Sequence, residues 1–173
     1  MALPRAGRRA LAVEVQALVA PTEGPARRQA TGIDARRFQL VAAVLDRAFG
    51  LGFGRSELYG ASLGGVRLDD PACDLAVALA LASAATGVTP PRGTAFVGEI
   101  GLTGQVRPPS GLSQRLSAAR AAGCDVVYSA AGTDASDSGM RLVPVGHVRE
   151  AVCGALGVSS SNRVTEGPSA LRT

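Results

Sequence analysis

The chain has 173 residues, enough for one domain with a buried core, and its 46% hydrophobic and 18% charged content excludes disorder throughout. All 18 basic residues are arginine, so there is no P-loop, no lysine base and no Schiff base; the single histidine, His147, excludes metal sites built on several histidines. The formal net charge of +4 is uneven, because residues 1–55 hold nine arginines against four acids and the remainder nine against ten.

A basic first third suits phosphate backbones, or it is a solvated face of an arginine-rich chain. Cys73, Cys124 and Cys153 lie far apart with no CxxC pair, so buried free thiols are expected. MALPRAGRRA has charge but no long apolar region behind it, and the apolar stretch Leu75 to Ala85 is too short and alanine-rich to span a bilayer. A cytoplasmic location with no membrane partner is the expectation.

Residues 1–9 read as a lead-in, 10–157 as the domain and 158–173 as a disordered tail. In ALAVEVQALVA (10–20), Leu11, Val13, Val15, Ala17 and Val19 alternate with polar positions, a strand pattern. PTEGPARRQATG (21–32) reads as a turn carrying Arg27 and Arg28. A helix follows a cap at Asp34, with Phe38, Val41, Ala42, Leu45 and Phe49 as its buried stripe. Arg36 and Arg47 point outward and Arg37 lies on the flank. Leu40 and Val44 fall near the outer side, which suggests a protein contact there.

GLGFG (50–54) does not match GxGxxG and no strand precedes it, so it reads as a loop before a strand at 57–63. In DDPACDLAVALALASA (69–84), Asp70 is an N-cap and Pro71 sits at N1. The helix behind them is apolar on every side, hence central, and ends near Gly87. FVGEIGLTGQVRP (96–108) is a strand–turn–strand. A helix at 111–122, a strand at 125–129, the loop AAGTDASDSG, a strand at 141–145 and a helix at 147–156 complete the chain. The irregular alternation, with one hairpin, predicts a mixed α/β (α+β) domain and not a doubly wound one.

Three stretches in order, DPACDLAVALA, GEIGLTGQVRP and GLSQRLSAARAAGCDVVY, resemble the proteolytic domain of Lon proteases, which has the ribosomal protein S5 domain 2-like fold. With LAVEVQALVAPTEGPARRQATGIDARRFQLVAAVLDRAFGL in front of them, the chain is closer still to the C-terminal Lon-like domain of the RadA (Sms) family of bacterial DNA repair proteins. The resemblance covers about residues 10–157.

Lon proteases carry a serine nucleophile in GPSAG and its lysine base in GGLKEK. Laying DPACD on GPSAG puts Ala72 at the serine; anchoring on Gly98-Glu99-Ile100 puts Arg115 at the lysine. The resemblance thus implies a degenerate dyad, with no catalytic residue. A methyl group cannot attack a carbonyl, and an arginine that stays protonated cannot act as base. Cys73 is one residue away, rotated by about 100° on a helix and without a base. GPSA at 167–170 lies in the tail and reads as coincidence. His147 reads as a surface or capping histidine in preference to a triad member. Asp69, Asp70 and Asp74 read as a cap and helix-start acids in preference to a metal site.

The resemblance implies a scaffold role in recombinational DNA repair. In the family, a zinc-binding segment and a RecA-like ATPase core precede this domain, so ATP, Mg and Zn are expected only in such a part, and no cofactor or metal is expected in this chain. The chain is either a fragment or a stand-alone form. Expected partners are DNA, single-stranded or branched, and further copies of the chain, as a hexamer in the family. Arg27, Arg28, Arg36, Arg37, Arg107 and Arg115 are the candidate contacts to the DNA backbone, the first four as a possible single patch. A purely structural oligomerisation module, with arginines paired to a neighbour's acids, is the alternative; a diverged S16-type Ser–Lys peptidase is the weaker one.

Overall fold

The computed structural model describes residues 1–133 and 139–159. The tail from residue 160, including the GPSA at 167–170, and residues 134–138 of the AAGTDASDSG loop lie outside the described residues. In chain order the elements are β1 (Arg5–Ala6), β2 (Arg9–Ala10), β3 (Val15–Pro21), β4 (Arg28–Thr31), α1 (Ala35–Phe49), β5 (Ser56–Ser62), α2 (Asp74–Thr86), β6 (Thr94–Val97), β7 (Glu99–Ile100), β8 (Val106–Arg107), α3 (Leu112–Ala121), β9 (Val126–Ala130), β10 (Arg141–Val145) and α4 (Val148–Leu156). The fold class is mixed α/β, as the residue patterns predict.

Two three-stranded sheets frame the core. In one, β5 lies between antiparallel β3 and parallel β4; in the other, β9 lies between β10 and β6, all parallel. The β1–β2 and β7–β8 hairpins are short and separate. α2 is buried along most of its length and packs against β3, β6, α1 and α4. Its alanines allow this close approach from several sides, since each removes volume that a larger side chain would need.

Local chemistry sets the helix boundaries. Asp34 Oδ1 accepts the Arg37 N–H and caps α1, which ends at Gly50 in the left-handed region. Asp70 caps a 3-10 turn at Pro71–Cys73 that leads into α2, and Gly87 ends that helix, also left-handed. At α4, His147 Nδ1 accepts the Arg149 N–H at 3.1 Å while its other ring nitrogen donates to the Thr103 carbonyl at 2.9 Å. His147 is a capping histidine that ties α4 to the β7–β8 turn.

Four expectations need correction. Residues 21–32 are not all turn: Arg28–Thr31 form β4, held by parallel pairing to β5. Leu11 is half exposed, because the strand proper begins at Val15. Val44 is buried and Leu40 packs on the core, because α1 meets α2 and α4 as well as the sheet, so its buried stripe is wider than one face. Finally, residues 1–9 do more than lead in. Ala2 bridges to Val13 and to Phe96, joining the edge of β6 to the approach of β3, and Leu3 is fully buried.

Candidate functional site

The α2 start and α3 meet where the resemblance places the protease dyad. Ala72 is buried in the 3-10 turn, in a small apolar cluster with Leu3, Val97 and Leu116. Arg115, on the first turns of α3, is 1% exposed. Its Nη1 donates to Asp70 Oδ2 at 2.8 Å and to the Leu3 carbonyl, and its Nε donates to the Ser110 carbonyl at 2.9 Å. Asp70 Oδ1 accepts the Ala72 N–H at 3.0 Å, and Oδ2 also accepts the Arg5 N–H at 3.1 Å. One carboxylate therefore joins both dyad positions, the N-terminal hairpin and α3.

Burial alone would raise the Asp70 carboxyl, but Arg115 and the Ala72 and Arg5 amides outweigh it and hold it below its ordinary value. Cys73, 2% exposed, has its thiol pushed well up by burial, with the Asp70 and Asp74 carboxylates adding to the effect. A thiol held protonated and out of solvent is no nucleophile. A groove of about 770 Å³ between β3, α2 and residues 89–94 is lined by neither Ala72 nor Arg115.

The three acids at the α2 start diverge onto three arginines. Asp69 pairs with Arg67 at 3.0 Å on the surface, Asp70 with Arg115, and Asp74 with Arg37. Asp74 Oδ1 accepts from Arg37 Nε at 3.1 Å, and Oδ2 accepts from the Arg37 Nη2 and from the Ile100 N–H at 3.0 Å. Asp74, in the first turn of α2 as a helix-start acid, is also the partner that pins α1 and β7 to α2. Among the described residues, no group of three or more His, Cys, Asp or Glu converges as a metal site.

These pairs also redistribute the candidate DNA contacts. Arg115 cannot meet a phosphate backbone, because its guanidinium is buried among Leu3, Asp70 and Ser110. Arg37 is turned inward onto Asp74, with Glu99 at 3.7 Å. Arg27, Arg28, Arg36 and Arg107 are exposed. Arg27 and Arg28 stand at the start of β4 and Arg36 past its end, about 10 Å of strand apart. Sequence reasoning alone does not single out Arg8 and Arg9, exposed on the β1–β2 hairpin, or Arg55 at the start of β5. Their only signal is charge, without a motif.

Residues 61–138 match the Lon protease (S16) C-terminal proteolytic domain family. The chain is similar to the DNA repair protein RadA of Mycolicibacterium smegmatis, 39% identical over 146 residues, covering 84% of this chain and 31% of the relative. It is 40% identical over 155 residues to the DNA repair protein RadA of Bacillus subtilis, covering 87% of this chain and 34% of the relative. With the DNA repair protein RadA of Streptococcus pneumoniae the identity is 44% over 123 residues, 70% of this chain and 29% of the relative. The chain spans about a third of the length of the curated relatives it matches.

Proposed function

The chain belongs to the Lon-like domains of RadA-type DNA repair proteins, and we propose that it acts there as a non-proteolytic scaffold for ring assembly and sequence-independent DNA binding. The observation that carries the reading is the Asp70–Arg115 pair beside Ala72. Where a protease would hold a nucleophile and a base, this chain holds a methyl group and a permanently protonated side chain committed to a structural ion pair. The fold is retained and the chemistry is gone.

DNA binding falls to the surface arginines. Among the described residues, Arg8, Arg9, Arg27, Arg28, Arg36, Arg55 and Arg107 are exposed and outside every salt bridge. Guanidinium forks hold phosphate oxygens without reading bases, so affinity falls steeply with salt and not with sequence. In a longer RadA-type protein the branch migration of recombination intermediates, with its ATP, Mg and Zn, belongs to other parts of the polypeptide; a chain without lysine has no P-loop. The function is exerted in the cytoplasm, on single-stranded or branched DNA.

Ring assembly draws support from Leu102, 76% exposed at the β7–β8 turn, a large apolar side chain that a neighbouring copy would cover. Sedimentation velocity with and without DNA tests the two halves together. A discrete oligomer is expected, with a hexamer as the family-based size, that gains mass when DNA is added. An oligomer that ignores DNA supports the purely structural alternative, and a monomer that ignores DNA refutes both.

A further inference from the structure

The outer face of the β3-β5-β4 sheet has a composition that the scaffold role does not require. Alternation and register put Leu18, Tyr59 and Gln29 in one row across the three strands, and Gln16, Ala61 and Thr31 in the next. Leu18 is 57% exposed, and Gln16, Gln29 and Thr31 are exposed beside it. The small Ala61 leaves a dent of about 270 Å³ between these side chains and Tyr59, with the Gly60 backbone in its floor.

The chemistry of the dent is specific. Its walls carry no charge: an aromatic ring, one leucine, two amides and a hydroxyl. The Tyr59 hydroxyl donates to Glu57 Oε2 at 2.7 Å, which puts the Glu57 carboxylate beside the ring on the same face. The end of the sheet where β4 and β5 begin carries Arg27 and Arg55, both exposed, whereas Arg28, in register with the buried Leu58, belongs to the other face. Arg27 shares the Tyr59 face by register and is near enough for its charge to act on the phenol. A protein partner would want a broad apolar patch, and Leu18 is the one large aliphatic side chain in the dent. A flat aromatic ring, uncharged hydrogen-bonding groups and, at one end, two cations against the single Glu57 carboxylate suit a base and its phosphates.

We propose that this sheet face is a base-stacking site for single-stranded DNA, with a base laid on Tyr59 and the adjoining phosphates on Arg27 and Arg55. This inference rests on the DNA-binding reading above and goes beyond its backbone contacts. Duplex DNA keeps its bases stacked and paired, so Tyr59 contributes nothing to duplex binding.

The test titrates the full chain with a labelled thymidine oligonucleotide and with a duplex of the same length, following fluorescence anisotropy. Tyr59→Ala is expected to weaken single-strand binding about tenfold or more, as loss of one stack should, while duplex binding and the salt slope stay unchanged. Tyr59→Phe keeps the ring and retains the affinity. Changing Arg27 and Arg55 to alanine lowers the salt slope for both DNAs. Parental affinity in Tyr59→Ala, or equal loss on both DNAs, overturns the stacking site. So does a change of oligomeric state in Tyr59→Ala, which would mark the sheet as a subunit interface. Binding that depends on the arginines but not on Tyr59 refutes stacking alone; no binding by the parent refutes the underlying reading as well.

Discussion

Asp70 and Arg115 form a buried ion pair, Oδ2 to Nη1 at 2.8 Å, at the place where the resemblance to Lon proteases puts the catalytic dyad. The pair is not an isolated contact. The Leu3 and Ser110 carbonyls accept from the same guanidinium, and the Ala72 and Arg5 amides donate to the same carboxylate. Each charge is satisfied several times over, which is the condition under which a buried pair can hold a structure together.

Removing one partner should therefore be costly. Arg115→Ala leaves Asp70 without its guanidinium and is expected to lower stability by about 3–5 kcal/mol in urea denaturation. The double variant Asp70→Asn/Arg115→Met removes both charges and should recover part of the loss. A single Arg115→Ala effect below about 1 kcal/mol would show that the pair is incidental.

Acid titration gives a second view of the same contact. The Asp70 carboxyl is held below its ordinary value of 3.8. Its folded pKa lies under its unfolded one, so its contribution is full above 3.8 and disappears as pH falls through the lower, folded value. Asp74 has the opposite sign. Burial raises its carboxyl despite Arg37 and the Ile100 amide, so its contribution weakens as pH rises through that raised value. Comparing the parent with Asp70→Asn cancels the Asp74 effect. The parent should be the more stable at pH 7, with the gap closing below 3.8. A gap that is flat across this range would contradict the assignment.

Restoring the nucleophile alone should not restore a protease. Ala72→Ser supplies a hydroxyl, but the group at the base position remains a protonated guanidinium bonded to Asp70. Casein digestion by the parent and by Ala72→Ser is expected to stay at background. Robust cleavage by the parent would overturn the reading of both positions.

The thiols should label in an order set by burial. Cys73 and Cys124 are buried, with both thiols raised chiefly by desolvation, whereas Cys153 is partly exposed. Brief iodoacetamide treatment followed by peptide mass spectrometry should find Cys153 modified first, with Cys73 and Cys124 reacting only on unfolding. Early labelling of Cys73 would mean that the α2 start opens.

Features carried by neighbouring residues were legible in the sequence. Asp34, Asp70, Pro71, Gly87 and His147 act within one or two turns of their own position, and the structure has each where the pattern puts it. The all-apolar α2 and the hairpin at Glu99–Arg107 belong to the same class. What escaped depends on distant partners. β4 exists because β5 accepts it in parallel register, while its own residues, RQAT, sit among turn formers. Whether an arginine faces solvent or the core is decided by a carboxylate far away in sequence: Asp74 turns Arg37 inward, and Asp70 buries Arg115. Local charge counting treats all arginines alike, so it could not separate these two from Arg27, Arg28, Arg36 and Arg107.

The most direct test of DNA binding by the surface arginines is a titration of the full chain at two salt concentrations, with the parent compared to a variant carrying Arg27, Arg28, Arg36 and Arg107 changed to alanine. Binding by the parent should weaken steeply with salt. The variant should bind more weakly on every DNA sequence, with a log–log salt slope reduced by roughly 0.7–0.9 for each phosphate that is no longer neutralised. Equal affinity and equal slope in parent and variant would contradict the DNA-binding role.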